Sequence, residues 1–410
     1  MTTQVSPSPS FTKTTTPPDW LGWVSKPNRP YGRGTLDILW SCLFTIFICT
    51  WTIQHPMVPG RDEKWQWISI RKVWLMAFTV IAPEMLIGSA IGEYLLANES
   101  VDEFKNEISQ DWTTTHGFFA LMGGFVVKSR NNPPLVIRVS GRGIMNLKDS
   151  GSPKPVTKRD IDDRSKADIL VKATACFQAL WLVIQCCARV QQNLPITPLE
   201  LATVGFVGCS LVTYVTWFSK PQQVNETITI LEAPALDFQT LRSQVNKGWK
   251  SDIEISDEYQ TSVIKALEEK GRIKTLHYFA GHHKHSMRIS MAAGSLFGAV
   301  HIIAWNFAFP TRVETIMWRV AAVASTVMPT VLLFLLLISL PQGPLSSIND
   351  SYVYPLLKRL GRTNRQEREN NAVYGTMRLY LIVALFITFR SQPPSIYTTV
   401  DWSKYIPHFS

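Results

Sequence analysis

The chain lacks the short signatures that carry much soluble-enzyme chemistry. No Walker loop, no G-x-S-x-G elbow, no H-E-x-x-H pair and no dinucleotide fingerprint occurs in its 410 residues. Nucleotide hydrolysis on a P-loop, α/β-hydrolase chemistry, zincin proteolysis and Rossmann-type hydride transfer are thus left without support. Cysteine is scarce, and all six residues, Cys42, Cys49, Cys176, Cys186, Cys187 and Cys209, fall inside apolar runs. That placement excludes the disulfide framework of a small secreted domain. No internal repeat of solenoid or inverted type is visible, so a transporter built from swapped halves gains no support. Residues 1–35 are rich in Ser, Thr and Pro and have no apolar core behind a basic start. They read as a disordered polar tail and not as a signal peptide.

Long apolar runs are what the chain does have. Residues 167–218 hold two of them, 167–190 and 199–218, joined by a connector at 191–198 that contains no Lys or Arg. Each has the roughly 20 residues a helix needs to cross a hydrocarbon core of about 30 Å. The flanking segments 128–166 and 219–288 each carry ten Lys and Arg. Positive charge accumulates on cytoplasmic loops, so the hairpin turn is expected on the other side. The net charge of +10 belongs mainly to such flanks. There it orients spans and meets anionic lipid; the expected partner is the bilayer, with no nucleic acid.

In order, the sequence predicts an all-α polytopic transmembrane bundle of seven or eight spans with two long basic cytoplasmic loops. Residues 36–127 form the first transmembrane half, with spans at 36–54 and 73–96 and a short segment, 112–127, containing HGFFALMGGF. That segment would reach only about 24 Å as a helix, so it reads as a short span, a re-entrant segment or an interfacial helix. Residues 98–111 read as an acidic polar loop. The loop 128–166, the hairpin 167–218 and the loop 219–288 follow, the last with a surface helix at 257–270. Residues 289–390 hold a second hairpin, 289–309 and 316–340, and a last span at 377–389; residues 391–410 are a tail. Gly88-x-x-x-Gly92 and Gly294-x-x-x-Gly298 sit within spans, where small residues let helix backbones approach closely. Sequons occur at Asn98, Asn225 and Asn349; only Asn98 could face the lumen, and only with eight spans.

Glu84 is the most informative position. It follows Pro83 at the middle of the 73–96 span, where Pro kinks a helix and a charge costs about 2.5 to 3.5 kcal/mol unless protonated or partnered. His301, expected midway along its own span, is its candidate partner, with Arg319 and Asn306 behind it. Glu84 and His301 are the candidate catalytic pair, able to exchange a proton with a bound substrate. Two other constellations carry less. His277, His282, His283 and His285 lie beside a span, and Lys284 among them repels a cation, so the cluster is expected to meet headgroups and not a metal. Asp160, Asp162, Asp163 and Asp168 resemble a Mg²⁺–diphosphate cluster, but only one is present and Arg159, Arg164 and Lys166 neutralise it. They read as a solvated face with Asp162 or Asp163 near a helix start. No cofactor is indicated.

Several strings, among them Ala82-Pro83-Glu84, Cys49 to Pro56, Thr115 to Phe125, Asp163 to Asp168, Leu194 to Thr203, Ala304-Trp305-Asn306-Phe307 and Ile406-Pro407-His408, resemble a large family of uncharacterised fungal multi-pass membrane proteins. The resemblance spans nearly everything after Gly34. It implies a fungal source and a setting in secondary metabolism, and it brings no activity to any residue. The expected function is a membrane-embedded enzyme or accessory protein handling a lipophilic small molecule. A small-molecule or proton-coupled transporter and a scaffold or receptor-like protein are the alternatives; endoplasmic reticulum and plasma membrane are not distinguished.

Overall fold

The computed structural model describes residues 20–24, 32–59, 65–107, 111–129, 136–139, 144, 154–165, 169–233, 284–338 and 364–405. The surface helix at 257–270, His277, His282, His283, Asp168 and Asn349 lie outside them. The helices are α1 (Thr35–Thr52), α2 (Trp65–Ile81), α3 (Pro83–Glu107), α4 (Thr114–Leu121), α5 (Lys158–Asp162), α6 (Ile169–Gln191), α7 (Pro198–Thr216), α8 (Lys284–Ile303), α9 (Arg312–Ile338) and α10 (Asn364–Ile387). Six of them, α1, α6, α7, α8, α9 and α10, include stretches long and apolar enough to cross a membrane; α2 and α3 pass the same test only as a pair bent by 111°. The outward faces of these helices carry Leu170, Phe177, Leu211, Val215, Leu296 and Phe334. Such surfaces would drive aggregation in water and suit lipid.

The chain divides into two compact units. The first comprises residues 1–45, 178–205 and 295–410. Its core holds Ile38, Cys42, Leu182, Leu199, Trp318 and Leu381. At Gly298 a Cβ would fall 2.7 Å from the Ser325 carbonyl, so α8 and α9 touch through backbone there, as the small-residue spacing predicts. The turn at 191–198 is held from several directions. Thr197 and Glu200 form a capping box at the start of α7, with Pro198 in its first turn. Glu200 also takes a two-pronged ion pair from Arg33, just ahead of α1. Fully buried Arg189 donates to the carbonyls of Pro195 (2.7 and 3.0 Å), Ile396 (3.1 Å) and Thr398 (2.7 Å). Leu21 and Gln392 exchange two backbone hydrogen bonds, and Arg33 N–H donates to Tyr397, so the segment entering α1 pairs with the segment leaving α10.

The second unit comprises residues 46–177 and 206–294. Here the structure corrects the sequence reading in three places. The 73–96 span is not one kinked helix: α2 stops at Ile81 and α3 starts afresh at Pro83. Pro has no N–H to continue the ladder and forces the preceding Ala82 out of helical geometry, yet fits the first position of a new helix. The acidic stretch after Asn98 is not a loop, because α3 continues to Glu107 and sinks Phe104 into the core against Trp112, ring on ring at 3.9 Å.

The third correction is that the bundle is not all-α. Residues 112–127 form the buried helix α4 and then the strand β1 (Phe125–Ser129), which lies between β2 (Val136–Arg138, antiparallel) and β3 (Ile228–Ala233, parallel). Gly123, with φ of 73°, closes α4 in a Schellman turn: Gly124 N–H reaches Phe119 and Gly123 N–H reaches Ala120. Parts of both supposed basic loops therefore fold together, around Val58, Phe104, Phe119, Phe125, Val127 and Ile230. The Gly88 spacing is used as predicted: a Cβ there would fall 2.6 Å from the Ser286 carbonyl, and the Ser286 hydroxyl donates to the Gly88 carbonyl at 2.7 Å.

Candidate functional site

The site is built where α1 runs out. Pro56 bars helical geometry at His55, so the last carbonyls of α1 must find donors other than the next turn. Side chains supply them. Gln54 Nε2 donates to the Thr50 carbonyl at 3.0 Å, His55 Nδ1 to Ile53 at 2.9 Å, and Gln222 Nε2 to Thr52 at 2.6 Å. Tyr214 donates its hydroxyl to Thr52 Oγ1. Buried His55 sets its ring against Trp217 at 5.2 Å, and Lys220 rests its ammonium 3.9 Å from the same indole while pairing with Glu93 of α3 at 2.5 Å. Lys72 of α2 lies 4.0 Å from the Trp51 ring.

Charge and burial oppose each other here. Burial, then the Lys220 cation, push the His55 imidazole down to about 3; the Ile53 carbonyl opposes this, and Lys172 and Lys72 add to it. Burial also lowers Lys220, against the pull of Glu93. His55 is therefore a neutral ring amid three lysines.

The bent pair α2–α3 lies beside this end of α1. Gln54 Nε2 also donates to Thr79 Oγ1 of α2 at 3.1 Å, while its Oε1, fully buried, meets no donor among the described residues. A narrow crevice next to the break is lined by Ile53, Thr79, Pro83, Leu86, Ser210 and Thr213. Glu84 is 3% exposed and sits in the first turn of α3, next to the break between the two helices. There the positive end of the helix dipole favours a carboxylate.

His301 falls in the other unit, and the structure describes it within that unit alone. It is not midway along its helix but in the last turn of α8, where Nδ1 donates to the Phe297 carbonyl at 3.0 Å and the ring lies 5.8 Å from Trp318. Arg319 is engaged with Trp305, donating to its carbonyl at 3.1 Å and lying 4.9 Å from its ring, and Asn306 lies in the turn that follows. The helix start among the aspartates belongs to Thr157 and Asp160, not to Asp162 or Asp163. Hydrogen bonds from the Thr157 N–H and hydroxyl to the Asp160 carboxylate lower its pKa. Among the described residues no group of three His, Cys, Asp or Glu could hold a metal ion. His55, Lys72, Glu93 and Lys220 were not singled out by sequence; Lys220, two residues beyond the aromatic end of an apolar run, was the one visible pointer.

Membrane-length apolar helices, a helix pair broken beside buried polar groups and a small mixed sheet define a helix-rich, polytopic class of protein. Residues 8–247 and 280–409 match the model of DUF8562, a family of unknown function, and the chain belongs to that family. No curated protein and no solved structure matches it.

Proposed function

We propose an integral membrane protein of six crossings that handles a lipophilic small molecule at its basic face, in the fungal secondary-metabolic setting the sequence resemblance implies. The observation that carries this reading is the break between α2 and α3, set beside buried Gln54, Thr79 and Glu84. Interrupted helix at membrane depth survives only where protein or a cavity satisfies it, and buried ionisable groups there mark functional paths. The unmet Gln54 acceptor asks for a donor such as a hydroxyl group.

Topology supports six crossings. The segments before α1 and after α10 pair with each other, so they share a side and the number of crossings is even. Arg33 and Glu200 bring the starts of α1 and α7 together, and Gln222 and Thr52 bring their ends together, so the two helices run parallel. The pair α2–α3 then enters and leaves by one face, and α1, α6, α7, α8, α9 and α10 cross. Single cysteines at Asn193 and Ser403 in a cysteine-free background should label from the same, non-cytoplasmic side, with one at Lys158 labelling from the other. Opposite-side labelling of the first two would sink this topology. Deleting the gene should leave a pathway product missing or stalled, and Glu84→Gln should fail to restore it although the protein accumulates. Intracellular build-up of the finished product would instead mark a transporter.

A further inference from the structure

The crevice beside the α2–α3 break has apolar walls, from Ile53, Pro83, Leu86 and Phe206, and hydroxyls from Thr79 of α2 and Ser210 and Thr213 of α7. The hydroxyls are engaged with the protein: Thr79 donates to the Leu75 carbonyl at 2.8 Å, Thr213 to the Cys209 carbonyl at 3.0 Å, and Ser210 bonds the Cys49 thiol. Gln54 stands one hydrogen bond behind Thr79. Its Nε2 has committed both protons, to the Thr50 carbonyl at 3.0 Å and to Thr79 Oγ1 at 3.1 Å, and because the Thr50 carbonyl can only accept, the carboxamide is fixed one way round. Oε1 is joined to that nitrogen through one carbon, by bonds of about 1.23 and 1.33 Å, so it lies no more than about 5.7 Å from Thr79 Oγ1. The side chain is fully buried, and Oε1 meets no donor among the described residues. A buried carbonyl oxygen in that state calls for a proton from outside the chain.

These groups select by what they lack. Lone pairs without spare protons give nothing to a carboxylate, phosphate, ketone, ester or ether, and an ammonium would bring three protons and a charge to an apolar wall. A neutral hydroxyl on an apolar body meets both demands. Size narrows the body further: the empty volume of about 180 Å³ is below the roughly 300 Å³ at which pockets for drug-sized ligands begin, so the crevice takes the end of a chain and not a ring system.

We propose that Gln54 Oε1 accepts the hydroxyl of a single-chain lipid alcohol whose hydroxyl end occupies the crevice beside the α2–α3 break. This rests on the reading of a site for a lipophilic molecule there and names its chemical class. Thr79 is a positioning residue: by taking an Nε2 proton it holds the carboxamide so that the oxygen is left for the ligand.

Photolabelling of the full chain in lipid nanodiscs tests it. The probe is dodecanol carrying a diazirine near its hydroxyl end, and the competitors are dodecanol and dodecyl methyl ether, in which a methyl replaces the hydroxyl proton. Adducts should map by mass spectrometry to the crevice, at residues such as Leu86 or Phe206. Dodecanol should suppress them at a concentration about tenfold or more below the ether, as one buried hydrogen bond implies. Gln54→Leu should bring alcohol and ether level, Leu86→Phe should abolish the adducts by filling the crevice, and Lys158→Gln, at an exposed lysine, should change neither. Equal competition by the ether in the wild type overturns the hydroxyl, adducts confined to other residues overturn the site, and a folded Gln54→Leu that keeps the wild-type preference overturns the acceptor. Should the Gln54 and Leu86 variants not fold, the wild-type preference and the adduct positions decide alone. The nanodisc assay reads neither sidedness nor pathway products. Its failure is therefore separable from failure of the topology, read by cysteine labelling, and of the lipophile reading, read by Glu84→Gln in the deletion strain.

Discussion

At the level of single residues, burial decides what each titratable group can do. His55 takes up a proton only near pH 3 in the folded chain but near 6.5 when unfolded. The unfolded state therefore binds more protons below 6.5, and the stability contributed by the neutral ring is complete above that pH and lost as pH falls from 6.5 toward 3. The slope from one such group is at most about 1.4 kcal/mol per pH unit. His116 adds in the same direction, since burial lowers it while its Nε2 donates to the Val156 carbonyl at 3.0 Å. Melting temperatures should fall as pH falls from 7 to 5, and His55→Asn should flatten the fall; an unchanged slope would show that the folded ring titrates as the unfolded one does. Arg189 is the opposite case, a permanent cation spread over three backbone carbonyls. Arg189→Met should cost about 3 to 5 kcal/mol because the carbonyls are orphaned, and Arg189→Lys should not rescue it, lacking the planar fork.

Helices and strands differ in how far the sequence reveals them. The helices of the two hairpins and of the last apolar run, like the glycine spacings, are local and written in runs of apolar residues. The break at Ala82 was half visible: Pro83 announces a kink, but only packing decides between a bend and a new start. The sheet was hidden for a physical reason. β1 pairs with β3 across about a hundred residues; Val126 and Val127 close the short apolar run 112–127, and Ile230 and Leu231 belong to an apolar stretch of only a few residues, so neither strand announces its partner locally. At Gly88 the element-level prediction is sharp. Gly88→Ala puts a methyl against the Ser286 backbone carbonyl as well as the Ser290 side chain. Ser290→Ala should therefore restore only part of the loss in thermal stability, and full restoration would show that the backbone can move apart.

For the whole molecule, the two members of the candidate pair read from sequence fall in different units. Glu84 belongs to one unit and His301 to the other, each at a helix terminus, because hydropathy places a residue along a run but not where the helix within that run begins or stops. The charge rule left the amino-terminal half undecided between two threadings; contacts more than 350 residues apart in sequence, such as Arg33 to Ile396, tie the segment before α1 to the segment after α10. Under six crossings, Asn98 and Asn225 face the basic side and stay bare. Asn98 already holds the Thr114 hydroxyl at 2.9 Å. A glycosidase-sensitive mass shift that depends on Asn98 would refute the arrangement.

The Arg189 clasp also sets a schedule. Two of its acceptor carbonyls are synthesised 207 and 209 residues after the arginine itself. Until that stretch has been made, the nascent chain carries a cation with two of its three acceptor carbonyls missing. A chain stopped short of Ile396 thus presents the cell's quality control with an unfinished lock, although every helix from α1 to α10 has already been made.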